Sequence, residues 1–247
     1  MGGMSLAGLL FPESIYGNHE LIETYAPNDV INLVLGIPIL LGTIWLTNRE
    51  KLVGLLLWPG AILNVFYNYL AYIIGIPLSL VSFFYAGLVF ASAFNAVILF
   101  NQIDGIPLKE QLSGKIYEKI SGWFLVIFGI LFILRAISVI AGGWMSNNPL
   151  PPTEIGVSIA DIIISILWVI GGISLLRHNA FGYASGLGLL FAASILFLGL
   201  IIFLLIQPLM TTAQFSFLDI IIVAVMGLIL SIPFILNLRG TLEAGSE

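Results

Sequence analysis

The stretch ISGWFLVIFGILFILRAISVIA, residues 120–141, decides the fold: it is apolar from end to end, with one charge, at Arg135. An α-helix rises 1.5 Å per residue, and roughly 20 apolar residues cover the ~30 Å of hydrocarbon in a bilayer. Residues 120–141 therefore read as a transmembrane helix. Six more stretches of the same kind accompany it, at residues 30–46, 52–74, 78–100, 155–176, 181–206 and 217–238. The first is short and contains Pro38; the sixth is long enough to tilt. Helices are expected because lipid offers backbone groups no partners, and no alternation of period two marks a barrel.

Composition agrees. Of 247 residues, 60% are hydrophobic and only 9% charged, against about 25% charged in soluble domains. A water-soluble fold needs more polar residues to face solvent. The expectation is an all-α, polytopic bundle in one domain. The net charge of −5 is no nucleic-acid footprint. There are no cysteines, so disulfides and thiolate metal sites are excluded.

The basic residues set a direction. Arg49 and Lys51 follow span one; Lys109, Lys115 and Lys119 follow span three; Arg177 follows span five; Arg239 follows span seven. All seven fall on one face, and the eighth basic residue, Arg135, lies inside a span. The positive-inside rule makes that face cytoplasmic. The expected arrangement is an extracytoplasmic tail over residues 1–29, a transmembrane domain over 30–238 and a cytoplasmic tail over 239–247, in a plasma membrane. Residues 1–29 contain no Lys or Arg, so the positive start of a cleavable signal peptide is missing. Trp45 and Trp123 are placed at the inner interface and Trp144 at the outer one. The outer loop with Asn147, Asn148 and Pro149 reads as a rigid turn. Residues 108–119 read as a short interfacial helix.

Three spans open alike, with Asp29-Val30-Ile31, Asp161-Ile162-Ile163 and Asp219-Ile220-Ile221. Spans one and five also share Gly-x-Ile-x-Leu, at 42–46 and 171–175. These suggest two parallel three-helix units joined by span four. The layout resembles in topology the small sugar-transporter (SWEET-like) bundles, without any of their motifs. An Asp at a helix start also has a local reason, since it caps amides and suits the dipole.

Arg135 is the most informative residue. It lies six residues from the outer end of span four, ~9 Å deep. Asp161 lies six residues into span five from the same side. An unpaired charge in mid-membrane costs roughly 2.5–3.5 kcal/mol, so the two are expected to pair. Asn64, Asn68 and Tyr72 fall on one face of span two, at helical spacing. Asp219 and Asn32 lie near the same side. Together these residues are expected to line an outward-facing polar pocket. Packing glue and lipid-directed snorkelling are the competing roles for such groups. Small residues are expected to mark packing faces, at Gly182 and Gly186 with Ala184, Gly188 and Ala192 on span six, and at Gly87, Ala91 and Asn95 on span three.

Many chemistries lack their residues. Span seven has no lysine for retinal, and His19 and His178 lie outside the core on opposite faces, unsuited to haem or metal. No span pairs two acids at the spacing that holds Mg²⁺ and diphosphate. Ser185 has no histidine at its level. No catalytic residue, metal ligand or cofactor is assigned. The leading expectation is a small-solute transporter-like or solute-binding protein, partnered by the bilayer and by a small solute or ion. A structural or accessory subunit, packing against a membrane-protein partner or a second copy, is the alternative. A lipid-modifying enzyme has least support.

Overall fold

A computed structural model describes residues 1–146 and 149–245; Asn147 and Asn148, in the loop expected to be a rigid turn, lie outside it. The described residues form helices joined by short turns. In chain order these are α1 (Gly2–Leu10), α2 (Pro12–Tyr16), α3 (His19–Ile31), a π-helical turn (Asn32–Gly36), α4 (Ile37–Asn48), α5 (Leu52–Gly75) and α6 (Leu80–Gln102). There follow α7 (Gly105–Leu112), α8 (Glu118–Met145), α9 (Pro152–Leu176), α10 (Ala180–Met210) and α11 (Phe217–Ala244). The run from α3 through α4, and each of α5, α6, α8, α9, α10 and α11, is long and apolar enough to cross a membrane. The chain is a seven-helix membrane bundle.

The first span starts at His19, eleven residues before the apolar run at Val30. Asn18 starts it, its side chain accepting the Leu21 N–H at 2.9 Å. Hydropathy ends at the polar residues Glu20, Glu23, Asn28 and Asp29, but the fold gives them partners inside the protein, so the helix continues through them. The π turn follows from Pro38, whose ring crowds the carbonyl four residues back. The turn before it widens, and Ile37 N–H bonds to Asn32 O, five residues away.

Residues 1–29 are folded onto the bundle. Gly8 packs against Asp29 and Tyr16, while Gly36 packs against Met1. Thus α1 runs antiparallel to α3 and the π turn. Ser5 Oγ lies 3.3 Å from Tyr69 OH, which joins α1 to α5. Tyr16, Leu21, Tyr25, Tyr69, Tyr72 and Tyr85 form one buried cluster.

The centre of the bundle is α5, packed on α4, α6, α9 and α10. Glycines permit its closest approach, since a Cβ on Gly188 of α10 would stand 2.7 Å from Leu56 O. Helices α8 and α9 meet as closely, with a Cβ on Gly172 reaching 2.7 Å from Gly122 O. Gly182 and Gly186 pack on Leu175 of α9 within the same chain. The small-residue face expected on α6 points the other way. Tyr85, Ser92, Ala96 and Leu99 turn inward, whereas Gly87, Ala91 and Asn95 are exposed. Aromatic and hydroxyl groups fill the space against α5 better than glycine does.

At one end of the bundle the turns carrying the basic residues gather. Tyr117 N–H donates to Asn237 Oδ1 at 3.0 Å, Gln111 Nε2 to Ala244 O at 2.9 Å, and Tyr183 OH to Glu118 Oε1 at 3.2 Å. The helix expected over 108–119 is α7 instead. It starts on Asp104, whose Oδ1 takes the Ile106 N–H, and Ser113-Gly114 ends it, with Gly114 at φ 77°. Its Leu108 and Leu112 are buried in the bundle. Trp45, Trp123 and Trp144 are all exposed.

Candidate functional site

Arg135 Nη1 donates to Asp161 Oδ2 at 2.9 Å. The other carboxylate oxygen, Oδ1, accepts from Tyr67 OH at 2.9 Å. Three spans, α5, α8 and α9, therefore meet at one carboxylate. The burial is one-sided: the Asp161 side chain is 3% exposed and the Arg135 side chain 58%. Arg135 is the tenth residue before the end of α8 at Met145, ~15 Å along the axis.

The pair stands in the wall of a cavity of about 520 Å³. Asn64, Asn68 and Tyr72 of α5 line the same cavity, with Tyr67 beside them. Asn28 of α3 ties this wall together, its Nδ2 lying 3.3 Å from Asn68 Oδ1 and 3.2 Å from Tyr72 OH. Asn68 Nδ2 donates back along its own helix to Asn64 O at 3.0 Å. The opposite wall is apolar, built from Phe132, Phe197, Leu200, Phe203 and Met226. The volume is typical of small-molecule sites, which combine an apolar lining with a few placed polar groups.

Exposed residues line the cavity in two places. Exposed Glu154 lines it at the end opposite the basic turns. On the flank, Arg135 of α8 and Ile222 of α11 both line it and both are exposed. Helix α11 has no buried residue before Gly227, and α8 packs chiefly on α9. The two helices meet at their basic-side ends, through Tyr117 and Asn237.

Five residues picked from the sequence thus come together: Arg135, Asp161, Asn64, Asn68 and Tyr72. Asp219 stays apart, exposed in the first turn of α11, where its N–H bonds to Ser216 Oγ at 3.3 Å. Asn32 is fully buried on the α1 side and lies outside the cavity. Tyr67 and Asn28 were not singled out in the sequence. Tyr67 falls three residues after Asn64, on the same helix face, so periodicity alone held that signal. Asn28 precedes the apolar run that marked span one.

The arrangement offers binding rather than covalent chemistry: a cation and a carboxylate already neutralise each other, and the amides and phenols beside them donate and accept. Among the described residues, no three His, Cys, Asp or Glu side chains are grouped to hold a metal ion. The fold and the cavity define the class, a seven-helix membrane bundle with a polar-walled internal cavity. The chain matches no known family model, no curated protein and no solved structure.

Proposed function

We propose that this chain is a solute-binding, transporter-like protein of the plasma membrane. Its ligand class is a small amphipathic molecule. The polar end would lie on Arg135, Asn64 and Asn68, and the apolar body against Phe132, Phe197 and Phe203. The observation that carries the reading is the Arg135–Asp161 pair, set in the wall of a 520 Å³ cavity rather than sealed between helices. An ion pair serving only as glue has no need of an adjoining cavity. The basic turns support putting the opposite end, where Glu154 lines the cavity, on the outer side. The exposed Arg135 and Ile222, which line the cavity on α8 and α11, suit a molecule that partitions into lipid before it binds.

The test is native mass spectrometry of the full chain, extracted from its own membrane in mild detergent. The expected species carries a retained small molecule that is lost on Arg135→Ala. A ligand-free spectrum, unchanged by the substitution, would refute the proposal.

One observation favours a second reading, an accessory subunit. Helix α6 packs chiefly on α5 and turns Phe83, Phe84, Phe90 and Phe94 outward. A stoichiometric partner in the same spectrum would select it.

A further inference from the structure

A second carboxylate is buried beside the cavity, and among the described residues no cation is paired with it. Asp29 of α3 is 1% exposed. Tyr16 OH donates to its Oδ2, and Tyr72 OH to its Oδ1 at 3.1 Å. Tyr72 also packs against Tyr25, Tyr69 and Tyr85. Groups facing Asp29 come from every neighbouring element: Ser5 of α1, Tyr16 of α2, Tyr25 of its own helix, Tyr69 and Tyr72 of α5, and Tyr85 of α6. None of these is a base. The Met1 amine sits seven residues beyond Gly8 on α1, roughly 10 Å further along that helix. Burial, and then the neighbouring carboxylate, push the Tyr16 phenol above its usual range, so it remains a donor.

Asp161 supplies the contrast within the same molecule. It is the tenth residue of α9, and Asp29 is the eleventh of α3. Each accepts from a tyrosine of α5, Tyr67 in one case and Tyr72 in the other. Asp161 has Arg135 as well, whereas Asp29 has only hydroxyls. A buried carboxylate without a cation is costly as an ion and is relieved by taking up a proton.

We infer that Asp29 is a proton-binding carboxylate, linked to the solute cavity through Tyr72 and Asn28. The link is continuous. Tyr72 lines the cavity and accepts from Asn28, which also reaches Asn68. The single Tyr72 hydroxyl hydrogen has two acceptors, Asp29 Oδ1 and Tyr25 O, the latter at 3.2 Å. Tyr72 is fully buried, so the proton reaches Asp29 Oδ1 from a hydronium when local opening admits water. One O–H bond breaks on the hydronium, one forms on Asp29, and the water is left neutral. Neutral Asp29 then donates to Tyr72, whose hydrogen turns to Tyr25 O. The protonation state of Asp29 thereby sets the orientation of a hydroxyl in the cavity wall.

A proton fits this place better than a metal ion. The phenols present hydrogens to the carboxylate rather than lone pairs to a cation. There is also no room: a Cβ on Gly8 would overlap both Asp29 and Tyr16. The segment departs from regular helix, with Pro27 before Asp29 and the π turn after it, and such turns concentrate at functional sites. Both amide atoms of Asn32, one turn away and fully buried, lack partners in this arrangement. They are free to find them in another.

The coupling rests on the solute reading of the cavity; the proton site does not. The test is infrared difference spectroscopy of the full chain in lipid nanodiscs, titrated in pH and exchanged into deuterium oxide. The expected result is a carboxylic C=O band that titrates, shifts on deuteration, is lost in Asp29→Asn and survives Asp161→Asn. Tyr72→Phe and Tyr16→Phe keep the acid but remove a donor, so each should shift the band's frequency. They carry the test if Asp29→Asn fails to fold. A titrating band untouched by Asp29→Asn, or unmoved by both tyrosine variants, overturns the inference. So does a band that answers to sodium at fixed pH and not to protons. Ligand retention lost with the band intact would refute the solute reading alone.

Discussion

Removing one member of the Arg135–Asp161 pair should damage the fold more than removing both, and the two single changes should differ. Arg135→Ala leaves Asp161, 3% exposed, with Tyr67 as its only partner. Breaking a fully buried pair from one side costs about 3–5 kcal/mol. Tyr67 still serves one oxygen, so about 2–3 kcal/mol is expected here. Asp161→Ala leaves Arg135, whose long side chain is 58% exposed and can swing toward the polar cavity wall or snorkel toward water. Its stranded charge costs about 1 kcal/mol or less, and the orphaned Tyr67 hydroxyl adds about 1 kcal/mol. The double change removes both charges and keeps only the Tyr67 penalty, about 1 kcal/mol. The expected order of damage is Arg135→Ala, then Asp161→Ala, then the double variant. The coupling energy is roughly 2–4 kcal/mol.

The assay is reversible unfolding in mixed micelles, followed by circular dichroism, with the four proteins of the cycle compared at one detergent composition. The cycle reads only differences, so uncertainty in the unfolded state largely cancels. A single variant as mild as the double one would show that the two charges do not depend on each other. Asp161→Ala found worse than Arg135→Ala would refute the argument from unequal burial, because it would make the exposed partner the costly one to strand.

Tyr67→Phe removes a donor from the same carboxylate and should destabilise the protein by about 1–2 kcal/mol in that assay. Gly188→Ala puts a Cβ 2.7 Å from Leu56 O and should lower the thermal midpoint by the equivalent of about 1–3 kcal/mol. Gly87→Ala, which meets nothing within 4 Å, should be tolerated or slightly stabilising. The chain has no cysteines, so single-cysteine variants report sidedness directly. A membrane-impermeant thiol reagent applied to intact cells should label Glu154→Cys and leave Arg177→Cys unlabelled until the membrane is opened. The reverse pattern would invert the orientation drawn from the basic residues.

The seven spans were legible because each contains an apolar run that only a helix across lipid satisfies. The polar wall was legible for a related reason. A charge inside such a run must find a partner at its own depth, and few residues qualify. What hydropathy hid was the start of span one and the helices before it. Residues 19–29 read as an aqueous tail because they carry Glu20, Glu23, Asn28 and Asp29. In the structure, protein groups replace water for two of them: Asn28 joins the α5 amides, and Asp29 sits among tyrosines, while exposed Glu20 takes a bond from Thr153. The same blindness misassigned the packing face of α6. Residue size alone favours Gly87 and Ala91, while the actual contact is made by the hydroxyls and rings of Tyr85 and Ser92.

The three helices that open with Asp and a run of β-branched residues show how far such a pattern carries. Asp219 is the third residue of its helix, so it stays in the first turn, where backbone amides and the helix dipole favour it and water reaches it. Asp29 and Asp161 lie about two and a half turns inside theirs, beyond the reach of that local stabilisation. Their charge is decided by what the neighbouring helix presents. Helix α5 presents Tyr67 to one acid and Tyr72 to the other, five residues apart on the helix. The arginine from α8 reaches only the first. The acid with the arginine is paired with a group that also lines the cavity. The acid without it is left with hydroxyls, which accept either of its protonation states. One central helix therefore serves two buried carboxylates, one beside an arginine and one among phenols, and the cavity wall runs between them.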